Sequence, residues 1–99
     1  MKPNRKRIYI GGTRYTVGTR KKIGRHPGLG PNVYIMGQFR PQTHEIVYLS
    51  KLGESRNLTL IHEILHAIEH EFCIGLDERD VDVISREITG SLGQLGIIK

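Results

Sequence analysis

Apolar and polar residues alternate in short runs through the first half of the chain, a pattern that predicts β-strands. Two such runs flank the pair Gly11-Gly12, which predicts a hairpin with a two-residue turn. Their apolar members are Ile8, Ile10, Tyr15 and Val17. Residues 33–39 and 44–50 predict two further strands, and Gly37 is expected to form a bulge in the first of them.

After residue 56 the apolar positions recur every three or four residues, which predicts an amphipathic helix. Its expected apolar stripe consists of Leu58, Ile61, Leu65, Ile68 and Phe72. Asn57 is expected to cap the start of this helix, and Gly75 to end it in a left-handed conformation. Asp77 is expected to cap a second helix, whose apolar stripe consists of Val81, Ile84, Ile88, Leu92 and Leu95. Strands followed by two packed helices predict an α+β fold.

Length and composition limit the size and class of the protein. With 99 residues, of which 37% are hydrophobic, the chain can build one modest core, so we expect a single domain over residues 1–99. No apolar run is long enough to span a bilayer, and no apolar stretch follows the positive charges at the start. Cys73 is the only cysteine, which is typical of a reducing compartment. We therefore expect a soluble cytoplasmic protein with no membrane association.

Charge divides this domain into two regions. Residues 1–56 form a basic β region, with twelve Lys and Arg against two Glu and a net charge of +10. Residues 57–99 form an acidic helical region, with three Lys and Arg against eight acids and a net charge of −5. The basic region is typical either of a solvated face or of a nucleic-acid contact. In the second case the loop predicted over residues 19–32 would contact phosphates through Arg20, Lys21, Lys22 and Arg25.

The sequence His62-Glu63-Ile64-Leu65-His66 is an HExxH motif inside the first predicted helix. Residues four apart on a helix lie on the same side, so two imidazoles at this spacing can converge on one metal ion. Zinc suits imidazole ligands, and a neighbouring glutamate can move a proton to and from water beside the ion. The motif predicts a zinc site in which His62 and His66 are ligands and Glu63 is the catalytic residue.

A third protein ligand is needed, and the chain offers several. The metzincin pattern is excluded because Glu69 and Phe72 stand where it requires Gly and His. His70 and Cys73 lie too far along the helix, and we expect a surface histidine and a buried thiol. The second helix offers the carboxylates of Glu78, Asp80, Asp82 and Glu87. A tight antiparallel helical hairpin would favour Glu87.

The motif and the acidic start of the second helix, residues 57–67 and 78–85, resemble the gluzincin metallopeptidases. The resemblance is closer to the short metallopeptidases of phages and prophages, and more distant to the ImmA/IrrE-type metallopeptidases. It implies a minimal zincin-like fold, in which a small antiparallel sheet packs against the HExxH helix and the second helix supplies a ligand. It implies Glu78 as that ligand, with Asp82 as a companion of a ligand histidine. It also places the strand over residues 44–50 beside an extended substrate, which we expect this strand to bind by edge pairing.

The resemblance implies zinc-dependent hydrolysis of a peptide bond in a peptide or protein substrate, with Glu63 as general base, inside a bacterial host if a phage encodes the chain. One alternative is a non-catalytic domain that zinc stabilises. Another is a basic binding module for nucleic acid or a virion. The candidates for stabilising an oxyanion are His26, His44 and Tyr48, whereas Tyr9, Tyr15 and Tyr34 are expected to pack in the sheet.

Overall fold

Gly11 and Gly12 form the turn of the first hairpin, as the sequence predicts. Both have positive φ angles, 58° and 83°, which glycine adopts without steric cost and which suit a two-residue hairpin turn. The structure, a computed structural model, describes residues 5–24 and 35–98. Its elements are β1 (Arg5–Ile10), β2 (Thr13–Arg20), β3 (Gly37–Arg40), β4 (Glu45–Leu49), α1 (Ser55–Phe72) and α2 (Glu78–Gln94). This order of strands and helices confirms the α+β class.

The sheet is mixed, so the expectation of an antiparallel sheet is wrong. Its strand order is β1-β2-β4-β3, in which β2 and β4 are parallel and the other two pairs are antiparallel. Residues 21–36 join β2 to β3, which pairs with β4 and not with β2. The apolar strand β4, with Ile46 and Val47 buried, therefore occupies the interior position.

This topology changes which strand has a free edge. Because β4 pairs with a strand on each side, the expectation that residues 44–50 accept a peptide by edge pairing is wrong. Within the described sheet, β3 is the edge strand on that side. It begins at Gly37 and pairs with β4 in regular register, so the predicted bulge is also absent from the described residues. Residues 33 and 34 of the predicted strand lie outside the described residues.

The core lies between one face of the sheet and α1. Ile10, Tyr15, Val17, Ile46 and Ala67 form its buried centre, and partly buried side chains pack around them. On α1 the sheet-facing positions are Leu60, Ile64, Ala67 and Ile68, a row that overlaps the predicted stripe only at Ile68. Phe72, expected in the stripe, is 56% exposed. Tyr15 is buried as expected, Tyr9 is exposed, and Tyr34 lies outside the described residues.

Both predicted ends of α1 are displaced. The helix begins at Ser55 with Glu54 as its N-cap residue, so Asn57 lies inside the first turn. It ends at Phe72, where Cys73 adopts the left-handed conformation and its backbone N–H donates to the carbonyl of Glu69. The left-handed turn comes before Gly75 and leaves Cys73 exposed, so the expectation of a buried thiol is wrong.

The start of α2 is as predicted. Asp77 is its N-cap residue, and its side chain accepts a hydrogen bond of 2.8 Å from the backbone N–H of Asp80. Val81 and Ser85 are fully buried against the rest of the fold, but Ile88 and Leu95 are exposed, so the predicted stripe is covered only in part. Among the described residues, no helix has the length and apolar content needed to cross a membrane.

We predict opposite effects of alanine at two glycines. A β-carbon at Gly37 would lie 2.6 Å from the methyl carbon of the buried Thr59, so Gly37→Ala should lower the free energy of unfolding by about 2 kcal/mol. Gly90 lies in α2 with open space around it, so Gly90→Ala should raise this free energy by about 0.5–1 kcal/mol through helix propensity. Urea denaturation of both variants measures the two changes. Equal stability of the two variants would contradict the close approach of β3 to α1.

Candidate metal centre

Residues 73–77 return alongside α1 before α2 begins. The backbone N–H of Leu76 donates a 2.9 Å hydrogen bond to Oε2 of Glu69, which lies about one turn before the end of α1. The chain between these two residues therefore folds back on the helix. As a consequence, α2 starts beside the middle of α1, where the sequence carries the two histidines of the HExxH motif.

Three side chains converge at this point. His62 and His66 are one turn apart on α1, and their Nε2 atoms lie 3.2 Å from each other. The carboxylate of Glu78, the first residue of α2, lies 3.2 Å from Nε2 of His66 and 3.6 Å from Nε2 of His62. One ligand atom from each of the three lies within 4.8 Å of the other two. The structure thus brings together His62, His66 and Glu78, the three residues that the resemblance to gluzincins implies.

The other ring nitrogen of each histidine faces a carboxylate. Nδ1 of His62 lies 3.3 Å from Oδ1 of Asp82, and Nδ1 of His66 lies 3.1 Å from Oε1 of Glu69. A carboxylate at Nδ1 favours the tautomer with its proton on that nitrogen, which leaves a lone pair on Nε2. Asp82 thus lies next to His62, the position that the resemblance implies for it. The role of Glu69 was missed, and its signal in the sequence is its position three residues after His66.

This donor set fits a zinc ion. Two imidazole nitrogens with lone pairs and a carboxylate oxygen face one point, and the carboxylates at Nδ1 fix the orientation of the rings. Within the described part of the chain, three side chains converge, which is the ligand number of catalytic zinc sites rather than of closed structural ones. The side chain of Glu78 is 72% exposed, so solvent reaches this point.

Glu63 lies beside the histidines but on the sheet side of α1, where it is buried. A β-carbon at Gly37 would lie 3.3 Å from its Oε2, and the backbone N–H of Phe39 donates a hydrogen bond to its carboxylate. Burial raises the pKa of the Glu63 carboxyl above its ordinary value, and the charge of Glu78 raises it further. The two histidines and the Phe39 N–H lower the pKa but do not cancel the effect of burial.

The remaining candidates lie elsewhere. Asp80 and Glu87 are exposed, and neither belongs to a converging group of ligands among the described residues. A tight helical hairpin would have made Glu87 the third ligand. The fold-back of residues 73–77 instead shifts α2 along α1 by more than a turn, so that its first residues lie beside the histidines. Of the oxyanion candidates, Tyr48 packs against the core and His44 lies near the end of α1. His26 lies outside the described residues.

Comparisons with protein-family models, with curated proteins and with solved structures found no match to this chain.

We predict that Glu78→Ala binds one equivalent less zinc than the unsubstituted chain, because it removes one of three converging donors. Glu87→Ala removes an acid of the same helix that lies outside the group, so it should bind zinc as the unsubstituted chain does. Asp82→Asn should weaken binding by about tenfold to a hundredfold, because it loses the carboxylate that orients His62. Metal analysis after dialysis measures all three. Equal losses for Glu78→Ala and Glu87→Ala would contradict the assignment.

Proposed function

We propose that this protein is a minimal zincin-like zinc metallopeptidase that hydrolyses peptide bonds. The observation that carries the proposal is the convergence of His62, His66 and Glu78 beside the buried carboxylate of Glu63. A third ligand from a second helix, together with an adjacent glutamate on the first, is the arrangement that zinc-dependent hydrolysis requires. The resemblance of residues 57–67 and 78–85 to gluzincin metallopeptidases supports the same function.

Each residue has a defined part in this reaction. His62, His66 and Glu78 would hold zinc, and Asp82 and Glu69 keep the two imidazoles in position. Zinc, when bound, would lower the pKa of a water molecule to about 7 and polarise the carbonyl of the scissile bond. Glu63 takes the proton of the attacking water and delivers it to the amine that leaves. Burial favours this role because a raised pKa makes the carboxylate a better proton acceptor near neutral pH.

The outer edge of β3, which no described strand covers, supports an extended peptide as the substrate. The bond from the Leu49 N–H to the Met36 carbonyl and the strand register make Phe39 and Ile46 a non-hydrogen-bonded pair. The Phe39 N–H therefore points away from β4, towards Glu63. A peptide strand added to this edge would lie next to the Glu63 carboxylate. We propose β3, in place of the strand over residues 44–50, as the strand that aligns the substrate.

We predict that Glu63→Gln retains zinc but loses activity by more than about a hundredfold, because it keeps the side-chain shape and removes the proton acceptor. The assay follows cleavage of a mixed pool of unstructured peptides by mass spectrometry, with the zinc content and unfolding temperature of each variant measured in parallel. Glu87→Gln, an exposed acid outside the site, serves as the matched control and should cleave as the unsubstituted chain does.

The same experiment separates the enzyme from a domain that zinc only stabilises. In a purely structural site, the zinc-loaded chain would cleave no peptide in the pool, although it would bind zinc at His62, His66 and Glu78. That result, or unchanged cleavage by Glu63→Gln, would overturn the proposed hydrolysis.

A second candidate function, nucleic-acid binding, is favoured by the face of the sheet that α1 does not cover. Alternation along the strands and the strand register place five arginines on this face: Arg5, Arg7, Arg14, Arg20 and Arg40. Glu45 is the one acid among the described strand residues on this face, and it pairs with Arg20 at 3.7 Å. Tyr9, 68% exposed, faces Arg14 in the register. Arginines beside an exposed aromatic ring suit phosphates and unpaired bases.

We predict that the chain binds a short single-stranded oligonucleotide and that Arg7→Ala with Arg14→Ala weakens this binding, because both exposed side chains line one shallow cavity of about 250 Å³. The slope of the logarithm of affinity against the logarithm of salt should fall by about one for each phosphate that the variant no longer neutralises. Arg79→Ala with Arg86→Ala removes the same charge from α2 and should leave affinity unchanged. No binding in low salt by fluorescence anisotropy would contradict this candidate.

A further inference from the structure

A second group of metal-binding side chains lies at the far end of α1. His70 and Glu71 come from the last turn of this helix, and His44 comes from the turn between β3 and β4. One ligand atom from each of these residues lies within 4.8 Å of the other two. We propose that His44, His70 and Glu71 form a second site for a divalent transition-metal ion, which ties the β3–β4 turn to the end of α1.

The Glu71 carboxylate is already held in place by neighbouring side chains. The Tyr15 hydroxyl donates a 2.5 Å hydrogen bond to Oε1, and the Thr13 hydroxyl donates a 2.8 Å hydrogen bond to Oε2. Tyr15 itself is fully buried, so this anchor is rigid. Each carboxylate oxygen keeps a further lone pair for a cation. Hydrogen bonds of this kind from outside the ligand set orient carboxylates in metal sites.

The two imidazoles are also oriented by packing. The ring of His44 lies 5.1 Å from the ring of Tyr15, and the ring of His70 lies edge-on to Phe39 at 5.6 Å. His44 has a φ of 53°, a left-handed conformation that few residues other than glycine adopt. With this backbone conformation, the imidazole of His44 lies beside His70 and Glu71 of α1. The three donors are therefore placed by different parts of the fold, and each has at least one contact that helps to orient it.

The donor set defines the class of ion and the role of the site. Two imidazoles and one carboxylate suit zinc and the neighbouring divalent ions, and they bind magnesium or calcium poorly. His44 and His70 are exposed, so water can complete the coordination. Glu71 is paired with Thr13 and Tyr15, and the described hydrogen bonds place no further carboxylate beside the group as a base. The site therefore has a structural role, in which the bound ion links the β3–β4 turn to the end of α1. It shares no residue with the centre formed by His62, His66 and Glu78.

Zinc titration of the full chain, with the first centre removed by His66→Ala, tests this proposal. We expect this variant still to bind one zinc ion and to unfold at a higher temperature with zinc than with a chelator. Adding His44→Asn or His70→Gln should raise the zinc dissociation constant by more than about tenfold and remove the rise in unfolding temperature. Asparagine is chosen at residue 44 because it adopts the left-handed backbone conformation readily. Glu87→Gln, which changes an exposed acid that belongs to neither group of ligands, should change neither value.

A second measurement needs no substitution. Zinc added to the unsubstituted chain should shift the imidazole resonances of His44 and His70 in nitrogen-15 NMR spectra, as well as those of His62 and His66. Unshifted resonances for His44 and His70, or zinc binding by His66→Ala that survives both added substitutions, would overturn the second site. Either result leaves the proposed peptidase untouched, because the two centres use different residues.

Discussion

The carboxylate of Glu69 makes two bonds on which the candidate metal centre depends. Oε2 accepts the backbone N–H of Leu76 and so folds the connection back along α1, whereas Oε1 faces Nδ1 of His66. The first bond determines where α2 begins, and the second orients one of the rings that α2 must meet. Because a single side chain makes both bonds, it sets both the position of Glu78 beside the histidines and the orientation of the His66 ring.

The topology of the sheet determines the surroundings of Glu63 in a similar way. The apolar strand β4 takes an interior position, which leaves the short strand β3 at the edge and next to α1. Gly37 allows the close approach, since a larger residue there would meet Thr59 and Glu63. Glu63 is thereby buried, whereas His62 and His66 on an adjacent side of the helix remain partly exposed to solvent. One helix thus presents a sheltered carboxylate and accessible imidazoles within a single turn.

The charge asymmetry becomes a spatial separation in the folded chain. The arginines of the strands lie on the face of the sheet away from α1, and the acids of α2 lie beyond α1 on the other side. Binding of a polyanion at the first surface would leave the candidate metal centre accessible. The proposed second site lies between these two surfaces, where Glu71 joins the end of α1 to the hairpin through Tyr15 and Thr13. The hydrogen bonds from these residues lower the pKa of the Glu71 carboxyl, and burial raises the pKa of Tyr15 to about 12.

The sequence by itself determined the local features: the Gly11-Gly12 turn, the cap at Asp77 and the placing of His62 and His66 one turn apart. Each depends on neighbours within a few residues, through φ preferences, a side-chain bond to the backbone, or helical periodicity. The sequence left Glu78 and Glu87 as competing ligands, because helix spacing does not give the path of the residues that join two helices. Only the tertiary structure decided that path, the interior place of β4 and the meeting of His44 with His70 and Glu71. All three result from contacts between residues distant in sequence, whose energies depend on how whole elements pack.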